Sequence, residues 1–169
     1  MARRCKVSRR FDFGAAMRST AAMVSQLLIG ALVSFLNFGI HAVMTGLIVV
    51  LTHHVAGATD DLHVFMRLTA LLTVTVIALT VAHLSEIALW AGFMAFAGIT
   101  VPNVETFEFA FENYVALGYG DVVAGGGWRL MGPIMALNGL LLIGWSVAVI
   151  FEVMKMADLQ IARREKRSR

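Results

Sequence analysis

The chain has 169 residues, 59% of them apolar, and a mean hydropathy of +0.77. Soluble domains hold roughly 45–50% apolar residues, so an ordinary soluble domain is excluded, and the lone Cys5 excludes both a disulfide framework and a cysteine-rich metal site. The net charge of +3 gathers in two basic ends, residues 1–18 and 155–169, around an apolar and slightly acidic middle, the layout of a membrane protein. No aromatic residue interleaves with the C-terminal charges, so the pattern argues against a nucleic-acid partner.

Residues 1–23 read as a basic N-terminal tail carrying Arg3, Arg4, Lys6, Arg9, Arg10 and Arg18. The apolar run behind it is far longer than the roughly 7–15 residues of a secretory signal, which predicts an uncleaved span. Residues 24–154 form one membrane domain, and residues 155–169 form a basic tail expected on the cytoplasmic side. The stretch from Val24 to Leu51 contains no charged residue and exceeds the roughly 20 residues needed to cross a bilayer. Asn37 and His41 lie four apart on one face of this span, where polar groups turn towards protein rather than lipid. The sequence from Thr52 to Arg67, with His53, His54, Asp60, Asp61 and His63, is expected to be a polar connector.

From Leu68 to Thr100 the chain is apolar apart from His83 and Glu86, which are three apart and share a helical face. As one helix this stretch is about 50 Å long, against a hydrocarbon core of about 30 Å. Two crossings would leave halves of only about 16 residues, short of the usual 17–25, so one long second span is predicted, ending near Gly92, Gly98 or Pro102. An ionisable group at that depth is a functional-site candidate, and the alternative for Glu86 is a structural hydrogen bond to a neighbouring helix.

Glu105 and Glu108 suit the first turn of a helix, and Phe107, Phe111, Tyr114 and Val115 recur at helical spacing. A dozen residues give roughly 18 Å of helix, too short to cross. Next comes Ala116-Leu117-Gly118-Tyr119-Gly120-Asp121, then Gly125-Gly126-Gly127 with Trp128 and Arg129 at the interface, then a last span from Leu130 to Met154. Irregular backbone at membrane depth is tolerated only where it lines a cavity or is buried in protein. The expected fold is therefore all-α: three transmembrane helices, with a re-entrant helix and loop before the last. No nucleophile–base constellation or phosphate loop points to an enzyme.

Gly118-Tyr119-Gly120-Asp121 resembles the selectivity filter of potassium channels, usually Thr-Val-Gly-Tyr-Gly followed by Asp. The module from about residue 104 to 154 resembles the pore of the two-helix ion-channel family, in a bacterial branch that shares His83, Glu86 and Trp90 in the preceding span and Asn138-Gly139 with Gly144-Trp145-Ser146 in the last. The resemblance implies that backbone carbonyls of Ala116, Leu117, Gly118, Tyr119 and Gly120 coordinate a dehydrated potassium ion. It also implies that Glu112 and Asp121 brace the filter from behind. Ala116 stands where the family has a threonine whose hydroxyl helps form the innermost ion site, which implies a weaker potassium preference.

These readings give a homotetrameric, multi-pass cell-membrane channel, passing monovalent cations through four filters without a cofactor. His41, Asn37, His83, Glu86 and Asn138 would form an intramembrane polar network, with Gly139 and Gly144 as hinge candidates. A non-conducting scaffold or regulatory subunit with a degenerate pore loop is the alternative. A third reading is a metal- or haem-binding membrane protein using His41, His83 and Glu86.

Overall fold

A computed structural model describes residues 13–59, 63–118 and 122–167, with side chains described between residues 19 and 159. Among the described residues the chain is all helix and loop: α1 (Phe13–Ala58), α2 (Val64–Phe96), α3 (Thr106–Tyr114) and α4 (Met131–Arg167). Three segments are long and apolar enough to cross a membrane: Ser19–Ala58 in α1, Val64–Phe96, which is the whole of α2, and Met131–Leu159 in α4. Their surfaces agree, since side chains such as Phe35, 75% exposed, and Phe96, 93% exposed, point away from the protein. Apolar exposure repeated along three helices marks a surface suited to lipid or to another membrane-embedded chain. The architecture is that of a multi-pass membrane protein.

The second span is a single unbroken helix through His83 and Glu86. The expected connector from Thr52 to Arg67 is shorter than its polarity implied. α1 continues to Ala58 and α2 already starts at Val64, so His53 and His54 lie on helix and Arg67 lies within the first turn of α2. Polar side chains do not end a helix unless they offer the backbone another partner. Thr52 instead directs its hydroxyl to the carbonyls of Ile48 and Val49 in its own helix, at 2.9 and 3.0 Å. Thr75, Thr80 and Ser85 likewise bond to the carbonyl four residues back, which satisfies hydroxyls inside apolar spans without a partner helix.

α3 has nine residues, about 13.5 Å of helix. Glu105, expected in the first turn, sits at the N-cap and makes no capping bond with its side chain, while Glu108 occupies the first turn. α3 packs against α2 and α4, and its backbone does not come close to that of α1. Phe109, Ala110 and Tyr114 are its buried face, joined in one core by Trp90 and Met94 of α2 and Met135 of α4. A second core, around Ile48, Leu79 and Val153, ties the three long helices together farther along.

Two glycines of α4 receive α3. A Cβ at Gly139 would lie 1.9 Å from the carbonyl oxygen of Tyr114, and one at Gly132 would lie 2.6 Å from Asn113 Oδ1. The backbone of α3 therefore rests directly on α4 at Gly139. Gly144, by contrast, has open space beside it. At the start of α4, Gln26 of α1 accepts a hydrogen bond from the Leu130 amide at 3.1 Å, serving one of the amides that a helix start leaves without a partner.

Candidate functional site

The end of α3 is where the expected filter begins. Val115 and Ala116 turn the chain, with Ala116 in the left-handed region at φ +57°. Its amide donates to the Asn113 carbonyl, and the Leu117 amide donates to the Glu112 carbonyl, both at 2.9 Å. This paired closure is a Schellman motif, which consumes carbonyls a helix end otherwise leaves bare. The Gly118 amide also approaches the Glu112 carbonyl, at 3.4 Å. Ala116, Leu117 and Gly118 are exposed, and Gly118 is not in the left-handed region. Tyr119, Gly120 and Asp121 lie outside the described residues, and with them the expected Glu112–Asp121 pair. Beside the loop, between α3 and the start of α4, lies an open cleft of about 380 Å³ whose walls include Glu112, Asn113, Gly118 and Arg129.

Directly behind α3, the intramembrane polar residues divide into two clusters. In the first, Asn37 of α1 donates to Asn138 Oδ1 of α4 at 2.8 Å, and the Trp90 indole of α2 donates to the same oxygen at 3.0 Å. All three are buried. The shared oxygen fixes the orientation of the Asn138 amide, because an indole can only donate. Among the described residues Asn37 Oδ1 and Asn138 Nδ2 have no hydrogen-bond partner.

The second cluster centres on Glu86, which is fully buried. His41 Nδ1 lies 2.8 Å from its Oε1, and His83 Nδ1 lies 3.1 Å from its Oε2. The Tyr114 hydroxyl contacts the same Oε2 and lies 2.8 Å from His83 Nδ1. On the far side His83 Nε2 is 2.8 Å from Ser146 Oγ, itself 3.5 Å from His41 Nε2. All four helices contribute. Burial and the neighbouring Glu86 push the Tyr114 hydroxyl above the ordinary phenol range, so it keeps its proton and serves as a donor. Tyr114 is also the last residue of α3. One side chain thus links the buried carboxylate to the start of the loop.

The donor atoms of His41, His83 and Glu86 lie within 4.8 Å of one another, and two imidazoles with a carboxylate are a known zinc-type donor set. A zinc ion would sit about 2.0–2.2 Å from each ligand. Here the same atoms meet one another or Ser146 at 2.8–3.5 Å, so a metal would have to displace the protons shared between them.

The sequence placed His41, His83 and Glu86 together as candidates, and the structure brings them into contact. Asn37 and Asn138, grouped with them, form a separate pair around Trp90. Two members of the Glu86 cluster went unassigned. Tyr114 fits the apolar spacing of α3 and so reads as core, and Ser146 is one small polar residue in an apolar run. The signal available for Tyr114 was a phenol at the end of a buried helix, which requires a hydrogen-bond partner. No protein-family model, curated protein or solved structure matches this chain.

Proposed function

We propose that the chain is a pore-forming subunit of a potassium-channel-like channel, in which four copies each contribute one loop and monovalent cations flow passively between them. The observation that carries this reading is α3. It is a helix too short to cross, held between two span-length helices, and its C-terminal end leads within four residues into Gly118-Tyr119-Gly120-Asp121. A helix C-terminus bears partial negative charge, which favours a cation nearby. The buried backing of α3 by Tyr114, Glu86 and Gly139 supports the reading as well, because a filter needs a fixed support. The re-entrant placement of α3, the filter, the homotetramer, the cell membrane as its site and a cytoplasmic C-terminus all belong to this proposal.

The test is flux from purified protein in liposomes under a potassium gradient, with the mass of the detergent-solubilised assembly measured by light scattering. A tetramer carrying potassium flux is expected. A stable monomer or dimer would defeat the proposal, because one or two strands cannot encircle an ion. A tetramer silent to every monovalent cation would favour a non-conducting scaffold or regulatory subunit. One observation favours that second reading: the carbonyls of Glu112 and Asn113 are taken by amides of residues 116–118, a closure complete within one chain.

A further inference from the structure

The side chains around Glu86 form a closed circuit. It runs from His41 Nδ1 to Glu86 Oε1 (2.8 Å), from Glu86 Oε2 to the Tyr114 hydroxyl, and on to His83 Nδ1 (2.8 Å). His83 Nε2 then meets Ser146 Oγ (2.8 Å), and Ser146 Oγ meets His41 Nε2 (3.5 Å), closing the ring. A sixth contact, His83 Nδ1 to Glu86 Oε2 at 3.1 Å, cuts across the ring and shares that nitrogen with the Tyr114 hydroxyl. The five links round the ring need five protons, one in each. Neutral His41, His83, Tyr114 and Ser146 supply four. The fifth comes either from Glu86 as the neutral acid or from a second proton on a histidine beside an ionised Glu86.

Those two forms hold the same number of protons and differ only in where they sit. A proton passing from Glu86 to the Tyr114 oxygen, while the Tyr114 proton passes to His83 Nδ1, converts one into the other. Both are net neutral, with every link filled. Removing one proton leaves a net charge of −1 and a single Ser146 proton facing two bare Nε2 lone pairs, so one link opens. A buried, uncompensated charge is costly at this depth. No lysine or arginine lies between residues 19 and 58 of α1, 68 and 96 of α2, or 131 and 154 of α4 to offset it. The other titratable residues of α3, Glu108 and Glu112, are carboxylates and add no positive charge.

We propose that His41, Glu86, Tyr114, His83 and Ser146 are one proton-binding site inside the membrane, neutral and fully bonded with its fifth proton and one hydrogen bond short without it. The site is filled at low pH and empties as pH rises. On emptying, the open link lies at Ser146, which loosens α4 from its neighbours, while α3 stays tied to α2 through Tyr114 and Glu86. On the channel reading, which this last step requires, flux acquires the same one-proton pH dependence.

The experiment is a pH titration of ¹⁵N-histidine-labelled protein in lipid bilayers, read by solid-state NMR, with flux measured in parallel. The signals of His41 and His83 are expected to move together in a single one-proton step. In Glu86→Gln the carboxamide donates and accepts but has no proton to release, so both histidines are expected to stay neutral, each in one tautomer, across the same range. Ser146→Ala removes the bridge between the two Nε2 atoms, so the signals of His41 and His83 are expected no longer to move together. Native histidines that titrate independently, or a Glu86→Gln protein that titrates as the native one does, would overturn the proposal. So would a stoichiometric transition metal in the purified protein whose removal shifts both histidine signals. A coupled step in a protein without flux would uphold the proton site and count against the channel alone.

Discussion

The ends of α2 and α3 share one hydrogen-bonded shape and differ in what holds it. At the end of α2, Gly98 takes the left-handed position at φ +64°, and the amides of Gly98 and Ile99 close on the carbonyls of Ala95 and Met94. At the end of α3, Ala116 takes the same position at φ +57°, and the amides of Ala116 and Leu117 close on Asn113 and Glu112. Glycine reaches that region without steric cost, whereas an L-residue with a Cβ pays roughly 1–2 kcal/mol. The apolar contact that completes such a motif differs too. Ile99 is buried in the same core as Met94, whereas Leu117 is 55% exposed. The end of α2 therefore stops itself. The end of α3 is strained, lacks its own apolar closure and is held from outside, by Gly139 against the Tyr114 carbonyl and by Glu86 against the Tyr114 hydroxyl. Backbone strain of this kind gathers at functional sites, and here it falls on Ala116, the first residue of the expected filter.

The largest expected effect comes from removing the outside support. Gly139→Ala would put a Cβ 1.9 Å from the Tyr114 carbonyl oxygen, and backbone on both sides leaves no flexible side chain to yield. Overpacking typically costs about 1–3 kcal/mol, and contact with backbone belongs at or above the upper end. A large fall in thermal midpoint in detergent is expected, together with loss of protease protection at the end of α3. Gly144→Ala meets nothing within 4 Å and should leave both nearly unchanged. Equal effects at the two glycines would show that α3 does not depend on α4 for its position.

Ala116→Thr sharpens the comparison by asking whether the strained end persists in an assembly. A β-branched residue in the left-handed region is a genuine outlier, so the capped geometry predicts a further loss on the order of 1 kcal/mol. Under the channel proposal the loop is extended in the tetramer, and the added hydroxyl joins the innermost ion site. The expected outcome is then an unchanged thermal midpoint and a bi-ionic reversal potential that favours potassium over sodium more than in the native protein. A lowered midpoint with unchanged selectivity would show that the capped end is what the assembly contains. Gly118→Ala reads the same question from the next turn. In the capped loop its Cβ would meet only Asn113 Oδ1, at an ordinary 3.7 Å, so loss of flux there would point to a different backbone in the pore.

The three spans were legible in the sequence, because an apolar run of that length with at most one carboxylate is what a bilayer crossing allows, and α3 was legible through its spacing. The connector was overestimated because His53 and His54 look like loop, while helices in fact end at backbone breakers and caps. Gly98 was a readable stop. Ala116 was not, since nothing about an alanine announces a left-handed residue. The Glu86 cluster was half legible. His83 and Glu86 share a face by spacing alone, and His41 was suspect for its depth. That Tyr114 and Ser146 close the ring depends on how α3 and α4 pack, which local pattern does not encode.

The smallest expected effects are a pair of opposite sign. Gly98→Ala places a Cβ where φ is +64° and no neighbouring atom lies within 4 Å, so any loss reports backbone strain alone, about 1 kcal/mol or slightly more. Ala116→Gly removes the same strain from the end of α3 and should recover about 1 kcal/mol, less a few tenths for the added freedom of the unfolded chain. Chemical or thermal denaturation in detergent, with each variant compared to the native protein under one set of conditions, measures both. The two ends differ in a further way that only the second variant reaches. If the strain at Ala116 does no more than tolerate a poor residue choice, Ala116→Gly gains stability and leaves flux, pH response and ion preference as they were. If the strain keeps the loop poised between its capped form and an extended one, relieving it favours the capped form, and flux falls as stability rises. Stability gained with flux unchanged would mean that the left-handed alanine is incidental to function. Stability unchanged would mean that residue 116 is not left-handed in the assembled protein, and the likeness between the two helix ends would belong to the single chain alone.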